Sequence, residues 1–344
     1  MFSSLVILLG CQSQLKENNS LDYVFIKGET MGTTYSIKAS THHQNLKFRV
    51  DSLLGSFNSV FSTYDTSSII SIINRTNDDS ICFRDIESHF YNTLNLSKEV
   101  WENTQGYFDP TVMPLVKYWG FGPKKEALIQ ANPIEIDAIL LNIGLDKLQW
   151  TKYDNQLCLF KSVEDLSIDL NAIAKGKGVD LICEMLQNLD IENYMVEIGG
   201  EVRVKGINDQ QEFWKIGIDK PISTENLSNR QNQAIIQLKN QAIASSGNYR
   251  NFLQVDGEIV GHTINPISGY AEINDLLAVS VIADNCAKAD AYATGFMAMG
   301  FEKAFNVAKE IESIKVLFIK LNEDGSDIEL QSTNNFDASI VSVN

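Results

Sequence analysis

The chain has little of what marks the commonest catalytic and binding frameworks. Of its 344 residues only five are cysteine and four histidine, with no C-x-x-C pair and no zinc-type histidine spacing, which leaves a zinc centre without a framework. Cys82, Cys158, Cys183 and Cys286 lie far apart among apolar neighbours, a setting that predicts buried free thiols. Basic residues are scarce: 28 Lys and Arg against 44 Asp and Glu give a formal charge of -16. Such a surface repels a phosphate backbone, so no nucleic-acid partner is expected. A small anionic nucleotide remains compatible where a metal ion or a helix N-terminus supplies positive potential locally. A P-loop of the form G-x-x-x-x-G-K-[ST] is missing, as are internal repeats and any clear linker.

What the chain does contain is enough apolar residue, 44%, to bury a substantial core in one large unit or two intimate ones. It opens with a short apolar run from Met1 to Gly10, followed by Cys11. Too short to span a bilayer as a helix, this run resembles a bacterial lipoprotein signal, cut before a Cys that then carries lipid. On that reading 1–11 is a signal ending at the lipidated Cys11 and 12–20 a polar tether. Residues 21–331 are the folded unit, its division into two subdomains left open, and 332–344 a polar C-terminal tail that frays.

Alternating apolar residues predict a first strand pair turning at Gly28-Glu29 and hairpin strands at 147–153 and 156–160 joined through Asp154-Asn155. Further strands are expected at 194–198, 201–205, 213–218, 234–238, 242–245, 276–282, 316–319 and 328–330. Helical spacing marks 44–60, 67–74, 85–104, 172–188, 285–299 and 302–311. Strands and helices mix without βαβ alternation, so the expected fold class is α+β, with mixed, largely antiparallel sheets and packed helices.

Four patches are rich in chemically useful residues. In the run from Asp169 through Asn171, Ala172 and Lys175 to Gly178, Asp and Asn sit at a helix entry whose free N–H groups can meet phosphate, and Lys175 adds a point charge. A helix cap with surface lysines is the plainer account of the same residues. In the run Ala287 to Gly295, Asp290 and Thr294 share a helix face and suit a hard, oxygen-liganded cation such as Mg²⁺, although a solvent-facing Asp and a back-bonded Thr fit equally well. His262 lies in a Gly- and Pro-rich loop, Gly261 to Gly269, where reactive groups are often displayed, although a satisfied structural histidine is the more usual account of such a residue. Glycines in Glu197-Ile198-Gly199-Gly200-Glu201 allow close backbone approach to a ligand, or simply make a hairpin turn. Together these patches point to phosphoryl-type chemistry without naming a substrate.

The same residues, with Met31-Gly32-Thr33-Thr34-Tyr35, Phe61-Ser62-Thr63-Tyr64-Asp65, Ser71 to Arg75, Phe108-Asp109-Pro110-Thr111 through Trp119-Gly120-Phe121-Gly122, and Ser245-Ser246-Gly247-Asn248-Tyr249, resemble the ApbE family of FAD:protein FMN transferases. The likeness runs in family order from about Gly28 to Lys320. It implies a periplasm-facing lipoprotein on a bacterial membrane that takes FAD as flavin donor, uses Mg²⁺, and attaches FMN by a phosphoester to a Thr or Ser of an acceptor protein, releasing AMP. Acceptors in the family include subunits of sodium-pumping NADH:quinone reductases and related electron-transport complexes.

By the same resemblance Asp290, Thr294 and a carbonyl near Ala172 are metal ligands, and Met31, Tyr64, Asn171, Lys175, Glu197, Gly199, Gly200, Ser246 and His262 contact flavin or nucleotide. His262 is the preferred general base, since a neutral imidazole is available near pH 7, with Asp290 as a second candidate. Asn171 stands where the family often has Gly, and Tyr292 replaces a frequently smaller neighbour, which bears on pocket shape. The Trp119 loop shields the flavin ring, recognises the target peptide or packs in the core. Two other readings of the site are an FAD pyrophosphatase, with water in place of the acceptor hydroxyl, and a flavin-binding lipoprotein without catalysis.

Overall fold

The computed structural model describes residues 22–343 apart from 86–87, 123–130, 222–230, 248–251, 256–257, 262, 272–274 and 323. The chain begins with hairpin strands β1 (Tyr23–Thr30) and β2 (Thr33–Ser40), followed by α1 (Leu46–Phe61), α2 (Ile69–Arg75), β3 (Ser80–Arg84), α3 (His89–Asn103), α4 (Met113–Tyr118) and α5 (Pro133–Leu140). Then come the hairpin β4 (Leu148–Tyr153) and β5 (Gln156–Lys161), the long α6 (Asn171–Asn188), β6 (Tyr194–Ile198), β7 (Glu201–Lys205), β8 (Trp214–Asp219), β9 (Asn232–Leu238), β10 (Ala242–Gly247), β11 (Phe252–Val255) and β12 (Glu258–Gly261). The last elements are β13 (Leu276–Ala283), α7 (Cys286–Met299), α8 (Phe301–Glu310), β14 (Lys315–Leu321), β15 (Ile328–Thr333) and β16 (Ile340–Val343).

An eight-stranded sheet in the order β1-β2-β6-β7-β10-β13-β14-β15 organises these elements, and its pairings are antiparallel throughout. The expected α+β class is therefore what the chain adopts. One face is covered by α1, α6 and α7, the other by the three-stranded sheet β16-β9-β8. Strand parity decides which residues go where. In β6, Tyr194, Val196 and Ile198 point to the helical face, while Met195 points to the opposite one. Helix α1 buries Leu46, Val50, Leu54, Phe57 and Phe61, the stripe its spacing predicts. Nearly every side chain of α7 is buried, so this helix has no polar face and runs through the core rather than over it.

Four readings change. The first hairpin turns at Met31-Gly32, not at Gly28-Glu29, because both central residues take the left-handed conformation that a tight two-residue turn requires (φ 51° and 71°). Helix α3 starts at His89 rather than near Asp85; the Asp85 carboxylate instead accepts from the Phe90 and Tyr91 N–H groups at 3.2 and 2.9 Å. Cys82 and Cys158, expected as buried free thiols, form a disulfide (S–S 2.02 Å) between directly opposed positions of β3 and β5; Cys183 and Cys286 are buried and free. Finally, the tail does not fray: Phe336 is fully buried and β16 pairs with β9, since one large apolar residue and an alternating strand suffice to dock it. The leader with Cys11 lies outside the described residues.

Candidate functional site

A cavity of about 850 Å³ opens where the first turn of α6, the middle of α7, the β1-β2 turn and the loop before α4 converge. It is lined by Met31, Tyr64, Asn171, Ala172, Lys175, Gly199, Ser246, Asp290 and Thr294, so residues from distant parts of the sequence meet as expected. Phe57, Phe61, Tyr107 and Phe108 add aromatic wall, and Tyr64, 66% exposed, stands at the rim. Met31 reaches the cavity from the left-handed turn and lies over Gly178, where a Cβ would sit 2.7 Å from its Cε. Trp119 is not on this wall; it packs in the core and donates its indole N–H to the Gly269 carbonyl at 2.8 Å.

Glu197 and Gly200 are not among the lining residues. Glu197 pairs with Val202 on the sheet face away from α6, accepting from Ser36 Oγ at 2.9 Å and from the Gly200 N–H at 2.8 Å. Of the two glutamates it is Glu201 that lines the cavity, since it pairs with Ile198 and so shares the helical face. This was readable in the sequence: a two-residue turn at Gly199-Gly200 pairs 198 with 201 and puts 197 on the other side. His262 lies outside the described residues; Thr263, Ile264 and Pro266 line the cavity.

The charged centre is built by a close helix crossing. At Gly176 an added Cβ would lie 2.4 Å from the Cys286 carbonyl oxygen, so only glycine lets α7 approach α6 here. That approach brings the buried Asp290 against the second turn of α6, where its Oδ2 accepts from the Gly176 N–H at 3.0 Å and its Oδ1 lies 3.6 Å from Lys175 Nζ. Lys175 Nζ is closer to Glu201 Oε1, at 2.6 Å. Burial pushes Glu201 up to about 7 against the pull of Lys175, with Asp290 adding to the rise. Burial likewise raises Asp290, again opposed by Lys175. For Lys175 burial acts downward, but the two carboxylates outweigh it and hold the ammonium firmly protonated.

Two buried carboxylates thus face one ammonium, and Glu201 Oε2 has no hydrogen-bond partner among the described residues. Thr294 Oγ1 lies 3.2 Å from Ser246 Oγ, and Ala172, whose carbonyl is the third expected ligand, lines the same cavity. Among the described residues there is no cluster of three or more His, Cys, Asp or Glu that could cage a metal by itself. The donor set of one carboxylate, one hydroxyl and one carbonyl nevertheless fits a hard cation that takes its remaining oxygens from water or phosphate.

The surrounding loops are held by further carboxylates. Asp109, on the cavity wall, accepts from the Thr111 N–H and hydroxyl, the Leu145 N–H and the Trp101 indole. Asp169, pushed up to about 6 by burial, accepts from the Asn171 N–H at 2.8 Å and so holds the entry to α6. Asn171 also donates to Thr63 Oγ1 at 3.2 Å. Tyr292 faces away from the cavity, fully buried with its hydroxyl bonded to Asn103, so its size does not narrow the site.

Comparison with known proteins adds the decisive finding: the sequence profile described as the ApbE family matches residues 31–318. The chain belongs to the ApbE family. An FAD:protein FMN transferase of Vibrio cholerae is 37% identical over 332 residues, covering 94% of this chain and 93% of that one, and one of Haemophilus influenzae is 33% identical over 91% and 89%. The structure of the flavin transferase ApbE from Vibrio cholerae superposes with a TM-score of 0.80 at 35% identity, over 92% of this chain and 99% of that one. With this kinship the ApbE chain described here is an enzyme of the transferase class.

Proposed function

We propose that this enzyme takes FAD as donor and transfers its FMN half to a Thr or Ser hydroxyl of an acceptor protein, forming a phosphoester and releasing AMP. The observation that carries the reading is the charge imbalance at the α6/α7 crossing: Asp290 and Glu201 against Lys175, with Glu201 Oε2 unpartnered among the described residues, on the wall of a cavity of about 850 Å³. Asp290, Thr294 and the Ala172 carbonyl would hold Mg²⁺. When bound, the ion supplies neutralisation of charge on the diphosphate oxygens.

The remaining work belongs to the chain's own residues. Lys175 presents a fixed positive charge to a phosphate, which a chain of formal charge -16 must concentrate in one place; the Asn171, Ile173 and Ala174 N–H groups at the α6 entry are taken by Asp169 and Leu170. Tyr64 and the aromatic wall suit a flat ring system. His262, adjacent to wall residue Thr263, takes the proton from the acceptor hydroxyl as that oxygen bonds to the FMN-side phosphorus; the bond from phosphorus to the AMP-side oxygen breaks, and AMP departs with the electron pair.

The family resemblance implies as acceptor a subunit of a sodium-pumping NADH:quinone reductase or related electron-transport complex, reached by an enzyme lipid-anchored through Cys11 and facing the periplasm. The Cys82–Cys158 disulfide supports that location, because such bonds persist in oxidising compartments. The test is incubation with FAD, Mg²⁺ and acceptor domains followed by intact-mass measurement after denaturation. An acceptor heavier by one FMN unit supports transfer; free FMN and AMP with unmodified acceptor would make the enzyme a pyrophosphatase, and intact bound FAD a carrier.

A further inference from the structure

The first turn of a helix exposes N–H groups with no intrahelical partner, and in α7 that turn is buried against α6. The side chain of its own cap, Asn285, accepts the Lys288 N–H, at 2.9 Å. The Cys286 and Ala287 N–H groups donate instead to a side chain of the neighbouring helix, Asp180, whose Oδ1 and Oδ2 accept them at 2.9 Å each. Asp180 is 3% exposed, and its Oδ1 also takes a 2.7 Å ion pair from Arg203 Nη1 on β7. One helical turn earlier on α6, the Gly176 N–H donates to Asp290 of α7. Each helix therefore gives a carboxylate to backbone amides of the other, and the two contacts lie about one turn apart on both. Sliding or tilting α7 would break both lacings together, so the depth of Asp290 in the cavity depends on Asp180.

We propose that Asp180, held by Arg203, is a positioning residue that fixes α7 against α6 and thereby sets the placement of Asp290 as a cation ligand; this rests on the reading of Asp290 given above. Partners that orient a ligand from behind typically change metal affinity by about 10- to 100-fold when removed. Asp180 does not line the cavity; its effect reaches Asp290 through the helix contact and through its charge, which adds to burial in raising the Asp290 carboxyl.

The experiment is a Mn²⁺ titration of the full chain without acceptor, on the wild type and on Asp180→Asn, with melting temperature and metal-free FAD binding measured alongside. The expected result is a Mn²⁺ dissociation constant raised about 10-fold or more with FAD binding within about twofold. A folded Asp180→Asn protein that binds Mn²⁺ as the wild type does, whatever its melting temperature, reduces Asp180 to a packing role and overturns the proposal. Should that variant not fold, Arg203→Gln, which frees Asp180 while leaving it in place, carries the same prediction and the same refutation. A wild type that binds no Mn²⁺ would remove the metal reading itself, and this inference with it.

Discussion

Asp290 and Thr294 could be paired from sequence because helix periodicity alone puts residues four apart on one face. Glu201 differs from Glu197 by strand parity, since the two-residue turn at Gly199-Gly200 puts 201 on the helical face and 197 on the other, whereas the resemblance named Glu197. Gly176 was visible only as part of a motif; its reason is the Cys286 carbonyl from a helix more than a hundred positions later, a contact no local pattern reports. At this scale Gly176→Ala should lower stability by about 1–3 kcal/mol through overpacking, read as a drop in melting temperature. Asp290→Ala should lose the Mg²⁺ response and slow transfer on the order of 100-fold or more; rates at several Mg²⁺ concentrations that kept the wild-type response would rule out the ligand role. His262→Ala should slow transfer by about 100-fold or more while leaving FAD affinity nearly unchanged; equal losses in both would make it a binding residue.

Long periodic segments were the legible elements. Helices α1, α6 and α7 and the β4-β5 hairpin fall within a few residues of their expected bounds, because their burial is periodic and their turns carry the right residues. Strand β3, helix α5 and the docked C-terminus escaped, being five, eight and four residues long and so too short to show a period. Missing β3 also hid the disulfide, since only strand pairing places Cys82 opposite Cys158. The C-terminal segment makes a quantitative test: Phe336 is 0% exposed in the cluster between the two stacked sheets, so Phe336→Ala should cost about 3–5 kcal/mol in a denaturant titration. A loss below 1 kcal/mol would return the segment to the fraying tail that its composition suggests.

For the molecule as a whole, the fold class followed from the lack of βαβ alternation, whereas the position of the site followed only from the crossing of two helices over one sheet. The disulfide closes a sequence separation of 76 residues, which in the chain-entropy account is worth about 4 kcal/mol. Reduction should therefore lower the melting temperature by several degrees, and a Cys82→Ser/Cys158→Ser double variant should match the reduced protein. The most direct measurement is a crystal soaked with FAD and Mn²⁺ and read by anomalous scattering. The account predicts one metal peak within coordinating distance of Asp290 and Thr294, touching the flavin diphosphate beside the first turn of α6. A diphosphate bound away from both helices, or a metal that leaves Asp290 uncoordinated, would contradict it.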